Sequence, residues 1–124
     1  MPKYTDALRG YAAAILKRDN YTCRYCGLDG RASFSNWLML SEDHLLPKGH
    51  PNRDNPEFRV TSCMFCNVAD NRYLERAAKE GVDFDDKTPD ELVALRLPTV
   101  LKSRANYRQY WDEHVAPKRA DGNT

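Results

Sequence analysis

The chain has no apolar run near the roughly 20 residues that a membrane-crossing helix needs, no low-complexity tract and no internal repeat, and its mean hydropathy is −0.76. No membrane partner is expected. No apolar leader opens it either: Met1 to Asp6 is too polar for an export signal, so a reducing, cytoplasmic setting is expected. A large charge of one sign is also missing, since 19 Lys and Arg against 18 Asp and Glu leave +1. A polyanion partner would then depend on uneven placement. The placement is uneven: residues 1–26 carry Lys3, Arg9, Lys17, Arg18 and Arg24 against two acids, residues 101–119 carry five bases against two acids, and residues 79–91 carry six carboxylates against two lysines. That pattern suits one basic and one acidic face, or ordinary solvated helix faces.

Cysteine is scarce but ordered. The four thiols form two Cys-x-x-Cys pairs, Cys23/Cys26 and Cys63/Cys66. Two intervening residues let both sulfurs of a pair turn toward one ion, and Gly27 supplies the backbone freedom for such a knuckle. Structural zinc is the expected occupant; disulfides or a redox Cys-x-x-Cys are the alternatives. Four thiolates would saturate the ion and leave no position for water, so such a zinc would stabilise the fold while chemistry came from elsewhere. With 124 residues the chain reads as a single domain with a marginal apolar core, for which a metal staple compensates. The core spans about residues 15–80 and a helical extension about residues 88–116.

The expected class is α+β. A helix is expected over residues 6–17, with Thr5 as N-cap and Leu8, Tyr11, Ala12 and Ile15 on one stripe. Trp37-Leu38-Met39-Leu40 reads as a short buried strand and Phe58-Arg59-Val60 as its return, separated by a loop over residues 48–56 rich in Pro, Gly, Asn and Asp. A helix should start near Cys63 or Met64 and run to about Lys79, stopped by Gly81. Thr88-Pro89-Asp90-Glu91 is a capping box opening a short helix to about Leu97; Pro98 separates it from another over residues 100–115, on which Tyr107, Trp111 and Val115 recur as a core stripe beside His114.

Three motifs stand in order along residues 15–74: Arg18-Asp19 before Tyr21-Thr22-Cys23-Arg24-Tyr25-Cys26-Gly27, then Asp43-His44-Leu45-Leu46-Pro47, then Cys63-Met64-Phe65-Cys66-Asn67. In this order they resemble the HNH endonuclease family. The resemblance implies a ββα-metal core with a four-cysteine structural zinc, flanked by an N-terminal helix and C-terminal helices. It also implies a metal-dependent endonuclease that hydrolyses DNA phosphodiester bonds, with His44 as general base and Asp43 and Asn67 as ligands of a catalytic Mg or Mn ion. An imidazole of near-neutral pKa suits proton removal from water, and hard oxygen donors suit such ions. Adjacent strand residues point to opposite sides, so Asp43 and His44 can share a site only if the chain bends.

Lys48, Arg53, Arg59 and Arg72 are candidates to meet the DNA backbone. The chain departs from the family where a middle asparagine is common: Phe58 stands five residues before Cys63, and Asn55 is the candidate replacement. Asp70 stands where a lysine is often seen, and reads as a surface acid rather than a further ligand. His50 reads as a solvated loop residue. The alternatives are a turn role for Asp43, a hydrogen-bonded place at a strand end for His44, a capping role for Asn67, and a catalytically inactive zinc-stapled module that binds nucleic acid or protein. Monomer and homodimer stay equally open.

Overall fold

The computed structural model describes residues 12–117. The first part of the expected N-terminal helix, with Thr5, Leu8 and Tyr11, lies outside the described residues. Its remainder is α1 (Ala12–Arg18), which buries Ile15 and Leu16. Asn20 and Tyr21 then take left-handed φ values of 55° and 54°, turning the chain into the first knuckle, where Gly27 at φ +79° lets its amide return to the Cys23 carbonyl. Asp19 ties this end down, its carboxylate accepting the Thr61 amide at 2.8 Å.

Of the run expected as a buried strand, Trp37 to Met39 are a helix end instead, and only Leu40 is buried and in a strand. Ser33 caps α2 (Phe34–Leu38) by accepting the Asn36 amide, and Leu38 and Met39 are exposed. Short apolar runs do not distinguish helix from strand, and the cap decides here. Strand β1 (Leu40–His44) pairs antiparallel with β2 (Arg59–Cys63), from Leu40 opposite Cys63 to His44 opposite Arg59. Phe58 belongs to a 3-10 turn (Pro56–Phe58) capped by Asn55, so the return strand starts one residue later than expected and runs on to Cys63. All five β2 residues are buried.

The single helix expected after Cys63 is two. Cys63 caps α3 (Met64–Val68), the chain breaks with Ala69 extended and Asp70 at φ 51°, and α4 (Tyr73–Lys79) follows, ending before Gly81 at φ +86°. The break has a partner. Arg96 donates to the carbonyls of Asn67 at 3.1 Å and Ala69 at 3.0 Å, satisfying acceptors that a continuing helix would have bonded itself.

Conversely, the two helices expected after Thr88 are one: α5 (Pro89–Tyr110) opens on the Thr88–Glu91 capping box and passes through Pro98 before a π-helical turn (Trp111–Val115). Pro98 removes its own amide donor, but Leu92, Val93, Arg96 and Val100 on the buried face hold the helix on both sides of it. Burial ends there. Tyr107, Trp111 and Val115 are exposed rather than forming a core stripe, because α5 is about 33 Å long at 1.5 Å per residue and outruns the core. That core gathers Leu46, Val60, Cys66, Leu92 and Val100 where the sheet, α3 and α5 meet. Among the described residues no helix is long and apolar enough to cross a membrane.

Candidate metal centre and the adjoining polar cavity

The two knuckles bring Cys23, Cys26, Cys63 and Cys66 together with all four sulfurs within 4.8 Å of one another. All four are free thiols. Cys26 Sγ and Cys63 Sγ are 3.8 Å apart, and tetrahedral zinc with 2.3 Å bonds sets its sulfurs about 3.8 Å apart. The donor set therefore fits a metal ion such as zinc. Hydrogen bonds from Cys63 and Cys66 pull the Cys23 thiol down, while Cys66 is pushed up by its bonds to Cys23 and Cys63. Arg104 adds a cation, its Nη1 lying 3.9 Å from Cys66 Sγ.

Beside this cluster lies a polar cavity of about 270 Å³, lined by Asp43, His44 and Asn67 together with Arg53, Asp70, Asn71 and Arg96. The end of β1 thus turns both Asp43 and His44 toward one space, and α3 adds Asn67 directly after the last cysteine. Asn67 is oriented by chemistry: its Nδ2 donates to Ser41 Oγ at 2.9 Å and to the Glu42 carbonyl at 3.0 Å. A carbonyl accepts only from the amino end, which leaves Oδ1 as the end not tied to β1.

Asp43 is buried, and its Oδ2 accepts from Arg96 Nη1 at 2.7 Å and from the Tyr25 hydroxyl at 3.0 Å. Burial outweighs both partners and pushes its pKa up to about 6, against the pull of the Arg96 guanidinium that pairs with the carboxylate. The Tyr25 hydroxyl is pushed up by burial and by the Asp43 charge, so it stays a donor. His44 is half-buried, with Asp54 Oδ1 3.5 Å from its Nε2. Burial first, then the Arg53 guanidinium, holds its pKa below 6.5 and keeps the imidazole neutral.

Other expected residues stand apart. Arg59 is buried across the sheet and bonds to both oxygens of Glu42, at 3.2 and 3.3 Å, so it cannot meet a DNA backbone as expected. Asn55 is exposed outside the cavity walls; it shapes the turn back into β2 by accepting the Glu57 amide. Lys48 and Arg53 border a trough that adjoins the cavity, with Arg53 and Asn71 in both walls, whereas exposed Arg72 lines neither. Asp70 is not a plain surface acid: it lines the cavity and is gripped by Arg76 at 2.6 and 2.9 Å, which holds its pKa low. His50 is a bracket rather than a solvated residue. Its Nδ1 accepts the Asn52 amide, so Nε2 carries the hydrogen and donates to Asp85 at 2.7 Å. Exposed His114 packs its ring on Tyr110, not on Trp111 and Val115.

Sequence reasoning missed Arg96 and Tyr25. A signal existed for the first, because Arg96 is the charged member of the otherwise apolar face Leu92, Val93 and Val100. Buried arginines at such positions have partners, but the partner's identity is a tertiary fact. No family model, no curated protein and no solved structure matches this chain.

Proposed function

We propose that this protein is a metal-dependent endonuclease of the HNH kind, built on a ββα-metal core and hydrolysing DNA phosphodiester bonds. One observation carries the reading: Asp43, His44 and Asn67 converge on one cavity beside a four-cysteine cluster. His44 is the general base. Its lowered pKa leaves a lone pair for the proton of an attacking water at neutral pH. Asp43 and the Oδ1 of Asn67 are the oxygen donors that would hold Mg or Mn, and such an ion when bound supplies charge to the phosphoryl group and the departing 3′ oxygen. Arg53 sits at the rim, where it meets a phosphate. The four thiolates hold zinc as a staple that keeps β2 and α3 in register with the first knuckle.

The test is nicking of supercoiled plasmid with Mg or Mn, comparing the wild type with His44→Ala and Asn67→Ala and assaying zinc in each. The expected loss for His44→Ala is about 100- to 10,000-fold with zinc content unchanged. A second reading, a zinc-stapled binding module without activity, is favoured by the Arg96 and Tyr25 bonds that already occupy Asp43 Oδ2. A zinc-loaded wild type that cuts nothing under either metal selects it.

A further inference from the structure

The exposed end of α5 forms a groove of about 500 Å³ outside the polar cavity, lined by Phe65, Arg104, Tyr107, Arg108, Tyr110, Trp111 and Val115. Three of its rings are open to solvent, Tyr107 at 66%, Tyr110 at 61% and Trp111 at 47%. Rings and cations alternate: the Arg104 guanidinium lies 5.4 Å over Phe65 and that of Arg108 lies 5.3 Å over Trp111. Phe65 and Tyr107 meet edge to face at 4.9 Å, which fixes one wall. Among the described residues no carboxylate lines the groove; Asp112 is bonded to Arg108 and Glu113 to Gln109 along the helix.

We infer that this groove binds a single-stranded nucleic acid, with unpaired bases stacking on Tyr107, Tyr110 and Trp111 and the backbone meeting Arg104 and Arg108. Aromatic faces interleaved with guanidinium groups match a chain that carries a π-face and a negative charge at every unit. Duplex DNA fits less well, since its base faces are already stacked on one another. A second copy of this chain fits less well too, because a symmetric pairing of this patch would gather both copies of Arg104 and Arg108 into one interface. The groove and the polar cavity have no described lining residue in common but draw on the same two helices: Phe65 and Asn67 share α3, and Arg96 and Tyr107 share α5 about 17 Å apart at 1.5 Å per residue. This inference goes beyond the catalytic reading and does not need it.

The probe is a fluorescein-labelled oligothymidylate of about a dozen nucleotides. It is titrated by anisotropy against the full chain carrying His44→Ala, with a duplex of equal length alongside. Tighter binding of the single strand is expected, weakened about tenfold by Trp111→Ala and again by Tyr107→Ala, and largely retained by Trp111→Phe. Arg108→Gln should weaken it and lower its salt dependence. The idea is overturned by unchanged affinity in both alanine variants, by equal losses for single strand and duplex, or by sedimentation showing a dimer that Trp111→Ala dissolves. These rings are exposed, so zinc content and circular dichroism should stay at wild-type values. A chain that binds the oligonucleotide yet cuts no plasmid would lose the catalytic reading and keep this one.

Discussion

The cysteine cluster and the polar cavity share the segment Cys63 to Asn67, yet they are built in opposite ways. The cluster is made by two local knuckles, each closed by a two-residue spacer and by amide hydrogen bonds to sulfur, at 3.5 Å from Cys26 to Cys23 and 3.4 Å from Cys66 to Cys63. The cavity draws residues from β1, the following loop, α3, the break after it, α4 and α5. Each knuckle is specified by spacing and only their meeting is long-range; every part of the cavity depends on distant elements having docked. A locally specified site should fail all at once when a ligand is lost, whereas a docked site should lose its parts by degrees.

Cluster disruption gives the largest expected effect. Cys66→Ser, or removal of metal by a strong chelator, should abolish the cooperative unfolding transition in circular dichroism. Binding of structural zinc contributes roughly 10–16 kcal/mol in small domains, as much as a whole fold. A retained transition would show that the apolar core suffices and that the two regions differ less than their construction suggests.

Next comes the docking of α5. Arg96→Ala leaves Asp43 buried beside Tyr25 without its cation, a loss of about 3–5 kcal/mol in urea unfolding. In an Asp43→Asn background the same change should cost clearly less, because the buried charge is gone. Equal costs in both backgrounds would mean that Arg96 acts through the α3 carbonyls it caps and not through Asp43.

Acid provides a smaller lever on the side of the cluster. Burial raises the pKa of Asp19, but the Arg18 bond and the Thr61 amide outweigh it and hold it below 3.8. A folded-state pKa below the unfolded one means that stability is present above pH 3.8 and lost as pH falls through the folded value. Wild type and Asp19→Asn should therefore converge in unfolding free energy as pH is lowered. Parallel curves would remove Asp19 from the account.

The smallest effect is expected at the far end of α5, where Tyr107→Ala and Trp111→Ala should shift stability by no more than about 0.5 kcal/mol. A loss of several kcal/mol would mean that the rings pack on something in solution, and would restore the core stripe that their spacing suggests.

Elements with local causes are legible in the order of residues alone. Paired Cys-x-x-Cys spacing specifies the four-thiol cluster, Thr88 and Glu91 cap α5, and Gly81 follows the end of α4 in the left-handed region, where a side chain is strained. Asp43, His44 and Asn67 were legible as a set through their order relative to the cysteines. Tertiary structure decided the rest. Whether residues 37–39 were helix or strand depended on a cap, whether Pro98 ended a helix depended on what held both sides of it, and whether Tyr107 and Trp111 were core depended on where the core stopped. Arg96 is the clearest case: it divides one expected helix and holds Asp43, through contacts 29 and 53 residues away in sequence. Periodicity names the face a helix presents, and only the packed molecule supplies what that face meets.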